Sequence, residues 1–357
     1  MTTPLEEYIQ RLIITNGPLD ISRYMSLCLT HPEYGYYTKG QPLGAAGDFT
    51  TAPEISQLFG EMIAFWIADL WQQMGAPQKW SLVELGPGRG TLMSDIVYIL
   101  SRLPDCAPDI HLVEVGHELR KQQEKSLSNV RPIWHDDLST LPRDVPVIII
   151  ANEFFDALPV HQFIHTENGF DEVVVGCGQD RALCFGRMPV PSSNIKMDVE
   201  TSCPLHGIVE YSPAQISVIE QISDLIFEAD GAALIIDYGY LNPPFTSTLQ
   251  ALRHHEMVSP LSQPGESDLT TLVNFTALAK STQLKTTPIV EQAAFLNRLG
   301  IKQRAEKLAM RATPDQIEQM KQALSRLTDP SQMGNLFKVL CLWHRHNTPL
   351  HPAGFND

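Results

Sequence analysis

Short apolar runs separated by longer mixed segments dominate the chain from residue 80 onward. The runs Ser81–Leu85, Ile110–Glu114, Val145–Ala151 and Ala232–Asp237 each have the length of a buried strand, and Pro213–Glu228 has a helical pattern. Strands that alternate with helices pair in parallel and take helices on both faces. The pattern therefore predicts an α/β fold with a doubly wound, mostly parallel sheet of the Rossmann type.

A strongly amphipathic segment precedes the first of these strands. Apolar residues within 55–74 recur at three- and four-residue spacing, which is typical of a helix with one buried face. Thr51 and Pro53 suit the start of this helix, and Gly75 suits its end. We interpret residues 1–50 as a further helix followed by an ordered loop.

These patterns predict a helical cap or lid at residues 1–79 and a core at residues 80–357, with insertions at about 160–210 and 241–333. Asn168–Gly169, between two apolar runs, is typical of a hairpin turn, so the first insertion is predicted to be rich in β-structure. The second insertion begins with prolines and paired histidines, and we expect loops and helices there. Further predicted elements are helices within Phe275–Thr282 and Gln292–Leu327 and a last strand at Phe337–Leu342.

Charge narrows the choice of partner. The chain has 357 residues, 43% of them hydrophobic, which is the composition of a folded globular protein. It carries 26 Lys and Arg against 41 Asp and Glu, a formal net charge of −15, and has no basic run. Nucleic acid is therefore not expected as a partner, and a basic protein or a small molecule is favoured.

The sequence also indicates a cellular compartment. Its six cysteines contain no C-x-x-C pair, so neither a disulfide framework nor a zinc site is expected from their spacing. The start of the chain lacks the features of a signal or transit peptide, and the longest apolar run, Val147–Ala151, is far too short to span a bilayer. We therefore expect a cytoplasmic protein without membrane insertion.

A glycine-rich motif follows the first predicted strand, where the chain turns into a helix. Glycine permits close approach of a ligand to the backbone, and the start of the helix offers free N–H groups. A dinucleotide fingerprint would need glycine at position 91, which is threonine, so an acid followed by G-x-G-x-G suits the amino-acid part of S-adenosylmethionine better than a pyrophosphate. An ordinary strand-to-helix turn is the alternative. The candidate cofactor-binding residues are Glu84, Gly86, Pro87, Gly88, Gly90 and Thr91.

Acidic residues end the next two predicted strands. Glu114 lies 28 residues after Gly86, where a carboxylate can accept both hydroxyls of a ribose. Asp136 and Asp137 follow a short strand and are candidates for contact with an adenine amino group, although they could equally cap the following turn. Together with the glycine motif, these acids favour a nucleoside ligand.

The strand at 145–151 runs directly into a cluster of acidic and aromatic residues. Ligands of open α/β sheets bind beyond the carboxyl ends of the strands, so this cluster is expected to face the reacting group. Asn152 is a candidate for the cofactor, Phe154 and Phe155 for the substrate. The alternative makes Glu153 an acid at a helix start and the two phenylalanines part of the core.

These motifs together resemble the MidA family, which comprises mitochondrial complex I assembly methyltransferases and their bacterial relatives. The resemblance extends over nearly the whole chain. It is carried by Tyr24–Met25, His31–Tyr37, Gly47–Gln57, Phe59–Glu61, Glu84–Met93, Ala151–Pro159, Ile235–Gly239 and Met333–Lys338. It implies the class I methyltransferase fold, S-adenosylmethionine as the methyl donor and, for the mitochondrial member, symmetric dimethylation of an arginine on a complex I core subunit.

The resemblance is incomplete in one segment. Where the family has A-D-L-T-A-H-V-D-F, this chain has Leu272 and Asn274 in place of the histidine and the second aspartate. A second departure changes T-Q-G to Glu291–Ala294. If the replaced residues handle the substrate or its proton, these changes would weaken or redirect the activity.

Methyl transfer to arginine requires carboxylates, because the guanidinium must be oriented and must lose a proton after attack. We expect Glu153 to grip the guanidinium and Asp156 to assist. The segment containing Asp48 and Glu54 is expected to close over the donor and to contact the substrate. No metal site is expected, because His254 and His255 are adjacent in a loop, and His344 and His346 alternate on a strand without nearby carboxylates.

A protein arginine methyltransferase is thus the leading functional hypothesis, with a protein substrate such as a complex I subunit. A small-molecule methyltransferase, or an assembly factor that binds S-adenosylmethionine without catalysis, remains an alternative. A dehydrogenase is disfavoured by Thr91.

Overall fold

The computed structural model describes residues 2–39, 51–190, 203–346 and 349–356. The chain divides into two compact units. The first unit comprises residues 1–49, 156–217 and 241–274, and the second unit comprises residues 50–155, 218–240 and 275–357. The predicted boundary at residue 79 differs from this division because the long helix before it packs against the helix that follows the glycine motif. A lid function for the N-terminal residues stays a prediction.

The helices and strands have the following bounds. The helices are α1 Pro4–Asn16, α2 Ile21–Thr30, α3 Ala52–Ile55, α4 Gln57–Gln73, α5 Thr91–Leu100, α6 His117–Ser126, α7 Pro213–Ala229, α8 Phe275–Lys280, α9 Gln292–Arg298, α10 Ile301–Ala309, α11 Pro314–Thr328 and α12 Met333–Leu336, with a 3-10 turn at Leu138–Thr140. The strands are β1 Leu19–Asp20, β2 Ser81–Leu85, β3 Asp109–Val113, β4 Ile133–His135, β5 Val147–Asn152, β6 His161–Thr166, β7 Gly169–Cys177, β8 Leu183–Pro189, β9 Ile208–Tyr211, β10 Gly231–Tyr240, β11 Gln250–Arg253, β12 Glu256–Val258, β13 Asp268–Thr270, β14 Val273–Asn274, β15 Lys285–Thr286, β16 Val290–Glu291 and β17 Phe337–His344.

The second unit is built on a largely parallel sheet in the order β15-β17-β10-β5-β2-β3-β4. Strands β4, β3, β2, β5 and β10 run parallel, and β17 pairs antiparallel with β10. Every residue of β2 and β5 is buried, as expected for strands covered on both faces. The predicted Rossmann-like fold and its strands are confirmed: β2 has the predicted bounds, and the ends of the other strands shift by at most three residues.

The helix predicted for residues 55–74 is interrupted near its start. Thr51 and Pro53 begin α3, which is four residues long, and α4 starts afresh at Gln57. The cause is Ser56, whose backbone is extended (φ −164°, ψ 135°) and whose Oγ accepts the N–H of Leu58 at 3.1 Å. Gly75 follows the helix with φ 84°, so the predicted end is confirmed.

The first unit is an assembly of β-structure and two N-terminal helices. Its larger sheet has the order β1-β7-β6-β9 with β8 on β7, and all of these pairings are antiparallel. The predicted hairpin is confirmed, because Thr166 pairs with Gly169 across the turn. A three-stranded sheet, β12-β11-β13, occupies residues where we expected loops and helices. Its strands are only three or four residues long, too short for a periodicity to show.

The helical pattern predicted for 292–327 forms three helices. Gly300, with φ 89°, separates α9 from α10, and a capping box at Thr313 starts α11.

Among the described residues, no helix combines the length and apolar character needed to cross a membrane. None of the six cysteines, all of them among the described residues, takes part in a disulfide.

Candidate active site

The glycine loop, residues 86–90, connects β2 to α5 at the carboxyl edge of the sheet. Gly86, Gly88 and Gly90 have φ of 59°, 54° and 79°, a left-handed conformation that costs other residues about 1–2 kcal/mol each. The N–H of Gly86 continues the parallel ladder by donating to the carbonyl of Val113 at 3.0 Å. Three left-handed positions in five residues explain why the motif needs its glycines.

Gly86 meets a further restriction from an aromatic ring. A Cβ at this position would lie 2.8 Å from Cδ2 of Phe154. The Phe154 ring therefore lies against the backbone of Gly86. The sequence predicted such a close approach for a ligand, and here a residue of the acidic and aromatic cluster makes it. The two sequence motifs that were singled out separately are in contact.

Glu84 lies inside the protein beneath this loop. Its side chain is 3% exposed, and the backbone N–H of Met93 donates to its carboxyl group. The start of α5 needs such an acceptor because its N-cap, Gly90, has no side chain. Burial raises the pKa of Glu84 to about 8, and its Oε2 has no hydrogen-bond partner among the residues described.

Glu114 is held by a residue that the sequence analysis missed. Its Oε1 accepts the N–H of Gly116 at 2.7 Å, and its Oε2 accepts Nε2 of Gln123 at 3.2 Å. The same amide group donates to the carbonyl of Gly88 at 2.8 Å, and Oε1 of Gln123 accepts the indole N–H of Trp134 at 2.8 Å. Gln123 is fully buried, and its hydrogen bonds connect the glycine loop to Glu114 at the end of β3. It lies in the highly polar α6, where one buried amide gives no pattern.

Asp136 and Asp137 have different partners. Asp136 pairs with Arg120 at 2.6 Å, and Arg120 also donates to the carbonyl of His135 at 3.1 Å. Asp137 accepts the N–H of Ser139 at 2.8 Å and thereby caps the 3-10 turn, which is the alternative left open by the sequence. Hydrogen bonds from Ser139 lower the pKa of Asp137.

The β5 turn, residues 152–155, carries the acidic and aromatic cluster of the second unit. Glu153 has φ 51°, a left-handed conformation that is uncommon outside glycine, and its Oε1 accepts Nδ2 of Asn152 at 3.2 Å. Asp237 is fully buried and accepts the N–H of Phe155 at 2.9 Å. The turn is therefore fixed from β10, a role for Asp237 that only the parallel pairing of β5 and β10 reveals.

The same turn is in contact with α3. The N–H of Ala52 donates to Oε1 of Glu153 at 2.8 Å. Two residues further along, Oε1 of Glu54 accepts the hydroxyl of Thr91 at 2.7 Å, and Oε2 pairs with Arg89 at 3.4 Å. Glu54, expected to contact the substrate, thus contacts the glycine loop and the start of α5.

The other predicted residues fall in different places. Phe155 is fully buried, which agrees with the alternative that makes it part of the core, whereas Phe154 is half-buried. Asp156 belongs to the first unit, is 7% exposed, and its carbonyl accepts the N–H of Thr271 at 3.0 Å. Asp48 lies outside the described residues.

One statement about histidines is corrected. Asp230 lies beside His344 and His346, and its Oδ1 is 3.7 Å from Nε2 of His346. The reason is that Asp230 precedes β10, whereas His344 ends its antiparallel neighbour β17 and His346 follows two residues later, so residues 114 or more positions apart become adjacent. A second group of possible metal ligands joins Asp20, His161 and Glu172.

A parallel sheet of this order, a glycine loop after its first strand and a buried acid at the end of the next define the class I methyltransferase type of α/β enzyme. Residues 62–290 match the family model described as "Putative S-adenosyl-L-methionine-dependent methyltransferase". The chain belongs to this family of S-adenosylmethionine-dependent methyltransferases. The motifs described above, from the glycine loop to the β5 turn, lie within the matched residues.

Curated relatives cover almost the whole chain. The chain is 33% identical to "Protein arginine methyltransferase NDUFAF7 homolog, mitochondrial" of Drosophila melanogaster, over 95% of this chain and 84% of the relative. It is 32% identical to "Protein arginine methyltransferase NDUFAF7, mitochondrial" of Homo sapiens, over 95% and 83% of the two chains. These relatives confirm the predicted MidA-type family.

A solved structure confirms the fold. A Burkholderia thailandensis protein crystallised with S-adenosyl-homocysteine superposes with a TM-score of 0.85 at 24% identity, over 99% of this chain and 92% of the other. S-adenosylmethionine is the cofactor of the family to which the chain belongs. The residues present fit it. Two buried polar atoms, Oε2 of Glu84 on β2 and Oδ1 of Asn152 on the neighbouring strand β5, have no hydrogen-bond partner among the described residues.

Proposed function

We propose that this protein methylates an arginine side chain of a protein substrate. The observation that carries the proposal is Glu153, an acid at the carboxyl end of β5 whose carboxylate is anchored by the N–H of Ala52. The names of the curated relatives, protein arginine methyltransferases, support the same substrate class. The complex I subunit implied by the resemblance is the first substrate to test.

The cofactor-binding residues we propose are the glycine loop and its surroundings: Glu84, Gly86, Pro87, Gly88, Gly90, Thr91, Glu114, Asp136 and Asn152. When bound, S-adenosylmethionine supplies an electrophilic methyl group. Left-handed glycines expose the loop backbone to the ligand, and the buried oxygens of Glu84 and Asn152 are available to its polar groups. Glu114 retains acceptor capacity on both oxygens for hydroxyl groups.

Glu153 has the chemistry that a guanidinium nucleophile requires. A carboxylate accepts paired N–H bonds from guanidinium, orients the attacking nitrogen and takes up the proton that this nitrogen must lose. The hydrogen bonds from Ala52 and Asn152 restrain Glu153, so little reorganisation is needed when the substrate binds. Asp156 assists in this proposal, a role inferred from its position three residues along the chain.

Two further features support a basic protein segment as substrate. The net charge of −15 favours association with a cationic partner, and the half-buried Phe154 ring beside Gly86 offers an aromatic face to the stem of an arginine side chain. We retain the cytoplasmic location as part of the proposal, supported by the free thiols. The curated relatives are named mitochondrial.

The proposal is tested with Glu153→Gln, using Glu318→Gln on the exposed face of α11 as the control. We expect methyl transfer to arginine to fall by about 100-fold or more, because the amide cannot take up a proton. Binding of S-adenosyl-homocysteine should stay within about threefold of wild type. The measurement uses labelled S-adenosylmethionine and lysate from cells lacking the gene, with mass spectrometry to locate methylarginine.

Full methylation by Glu153→Gln would refute the role of this residue. Binding of S-adenosyl-homocysteine without any methylated product in wild-type protein would favour the non-catalytic assembly factor. The replacements at Leu272 and Asn274 are the observation that keeps this second candidate.

A further inference from the structure

We propose that Glu54 is a positioning residue that couples the cofactor loop to the acceptor carboxylate. In this inference Glu54 fixes the end of the glycine loop, and α3 carries the restraint to Glu153. The inference rests on the proposed function for the role of Glu153. It replaces the sequence-based expectation that Glu54 contacts the substrate.

Glu54 is engaged at both oxygens by residues next to the cofactor loop. Oε1 accepts the hydroxyl of Thr91 at 2.7 Å, and Oε2 lies 3.4 Å from the guanidinium of Arg89. The Glu54 side chain is 19% exposed, so these bonds compete with water less than a surface pair would. Arg89 and Thr91 are the two neighbours of Gly90, the last residue of the loop. Glu54 therefore restrains the chain on both sides of Gly90.

The loop itself does not provide this restraint. The N-cap of α5 is Gly90, which has no side chain. The three glycines of the loop have positive φ, and glycine can adopt many other backbone conformations as readily. The direct hydrogen bond within the loop is the one from the N–H of Gly90 to the carbonyl of Pro87 at 2.8 Å. Two side chains from outside the loop therefore select one arrangement of a segment that glycine makes permissive: the Gln123 amide at the carbonyl of Gly88, and the Glu54 carboxylate at Arg89 and Thr91.

The other end of α3 contacts the proposed acceptor site. The N–H of Ala52 donates to Glu153 at 2.8 Å, and only Pro53 separates it from Glu54. Proline fixes its own φ, and Ala52 and Pro53 are both buried, so this turn has little freedom to deform. A shift of Thr91 or Arg89 is consequently transmitted through the three residues 52–54 to Glu153, and a shift of Glu153 is transmitted back.

Binding of S-adenosyl-homocysteine, measured by calorimetry, tests the first link. We expect Glu54→Ala and Thr91→Val each to weaken binding about tenfold, and the double variant to be no weaker than either single variant, because both remove the hydrogen bond between Thr91 and Glu54. Thr91→Ser keeps the hydroxyl and should bind within about twofold of wild type. Glu318→Ala, which removes a carboxylate beside Lys321 on α11, is the matched control and should bind like wild type.

Hydrogen exchange tests the second link without an acceptor substrate. In wild-type protein, S-adenosyl-homocysteine should slow amide exchange in peptides covering 51–56 as well as 86–93. In Glu54→Ala at saturating ligand, the slowing should persist at 86–93 and be lost at 51–56. A merely structural role for Glu54 would instead raise exchange at 51–56 equally with and without ligand.

The outcomes separate this inference from the proposed function. If wild-type protein binds S-adenosyl-homocysteine, but Glu54→Ala binds within twofold of it or keeps the ligand-induced slowing at 51–56, the positioning role is wrong and the proposed function stands. If wild-type protein does not bind the ligand at all, the cofactor assignment fails and this inference fails with it.

Discussion

The two units differ in how far apart in sequence their key contacts lie. In the second unit, the glycine loop, Glu84 and Met93 belong to ten consecutive residues, and the fold of the strand, loop and helix follows from them. In the first unit, the hydroxyl of Tyr37 donates to Asp268 at 2.8 Å and that of Tyr24 to the carbonyl of Pro260 at 2.7 Å, across 231 and 236 residues. The cofactor region is therefore encoded locally, whereas the first unit exists only as an assembly of distant segments.

This difference implies that substitutions in the two units should have different effects. Changes at the glycine loop should alter ligand binding, because the loop backbone is itself the proposed binding surface. Changes at the long-range contacts of the first unit should alter the free energy of unfolding, because those contacts close large loops of chain. Three variants test this distinction, in order of the decreasing effect expected on the glycine loop and its ligand.

The largest effect is expected for Gly86→Ala. The substitution places a Cβ 2.8 Å from Phe154 and forces alanine into a left-handed conformation with φ 59°. We expect a loss of about 2 kcal/mol in the free energy of unfolding and at least about tenfold weaker binding of S-adenosyl-homocysteine. Denaturant unfolding and calorimetry measure the two quantities.

The matched control for this variant is Gly186→Ala in β8 of the first unit. There a Cβ would lie at an ordinary contact distance of 3.6 Å from Val174, so stability and ligand binding should change little. Unchanged ligand affinity in Gly86→Ala would contradict the assignment of the glycine loop to the cofactor.

The second effect concerns the pH dependence of stability. Burial raises the pKa of Glu84 from 4.5 to about 8, so between these values the folded chain holds a proton that the unfolded chain releases. The free energy of unfolding should consequently fall as pH rises through this window, by up to about 1.4 kcal/mol per pH unit for one group. Asp95, whose pKa burial raises to about 7, contributes with the same sign.

Glu84→Gln removes the proton that Glu84 releases on unfolding, so the free energy of unfolding should depend less steeply on pH. The amide keeps an oxygen that can accept the N–H of Met93. Denaturant unfolding at several pH values from 5 to 9 measures the slope. Glu118→Gln is the control: a hydrogen bond from Lys121 lowers the pKa of this exposed acid, so its titration lies below the window. An identical slope in wild type and Glu84→Gln would show that Glu84 is ionised in the folded protein.

The smallest effect is expected for Tyr37→Phe in the first unit. Loss of its hydrogen bond to Asp268 should lower the free energy of unfolding by about 1–2 kcal/mol, because a buried charged acceptor loses a partner. Affinity for S-adenosyl-homocysteine should stay within about twofold of wild type. Tyr98→Phe on α5, half exposed and keeping its ring beneath Arg102, should change neither quantity. A large loss of affinity in Tyr37→Phe would mean that the first unit also shapes the cofactor site.

The site residues show which inferences a linear pattern supports. Glu84, Gly86 and Glu114 could be proposed from the sequence because each lies at a fixed position relative to a strand end, and parallel strands bring such positions to one edge. Gln123 and Asp237 were missed because their role depends on which neighbour they reach, and neither residue stands out in its own segment. The contacts of Glu54 were missed for the same reason, since its partners Thr91 and Arg89 lie 35 or more residues away.

The sequence by itself determined the parallel α/β core, the hairpin at Asn168–Gly169 and the glycine loop, because hydrophobic periodicity and backbone preferences act over a few residues. Tertiary structure alone decided that 156–217 and 241–274 join the N-terminal residues, and that α3 lies between Thr91 and Glu153. Such contacts depend on the packing of segments that are distant in sequence, and no local preference encodes them.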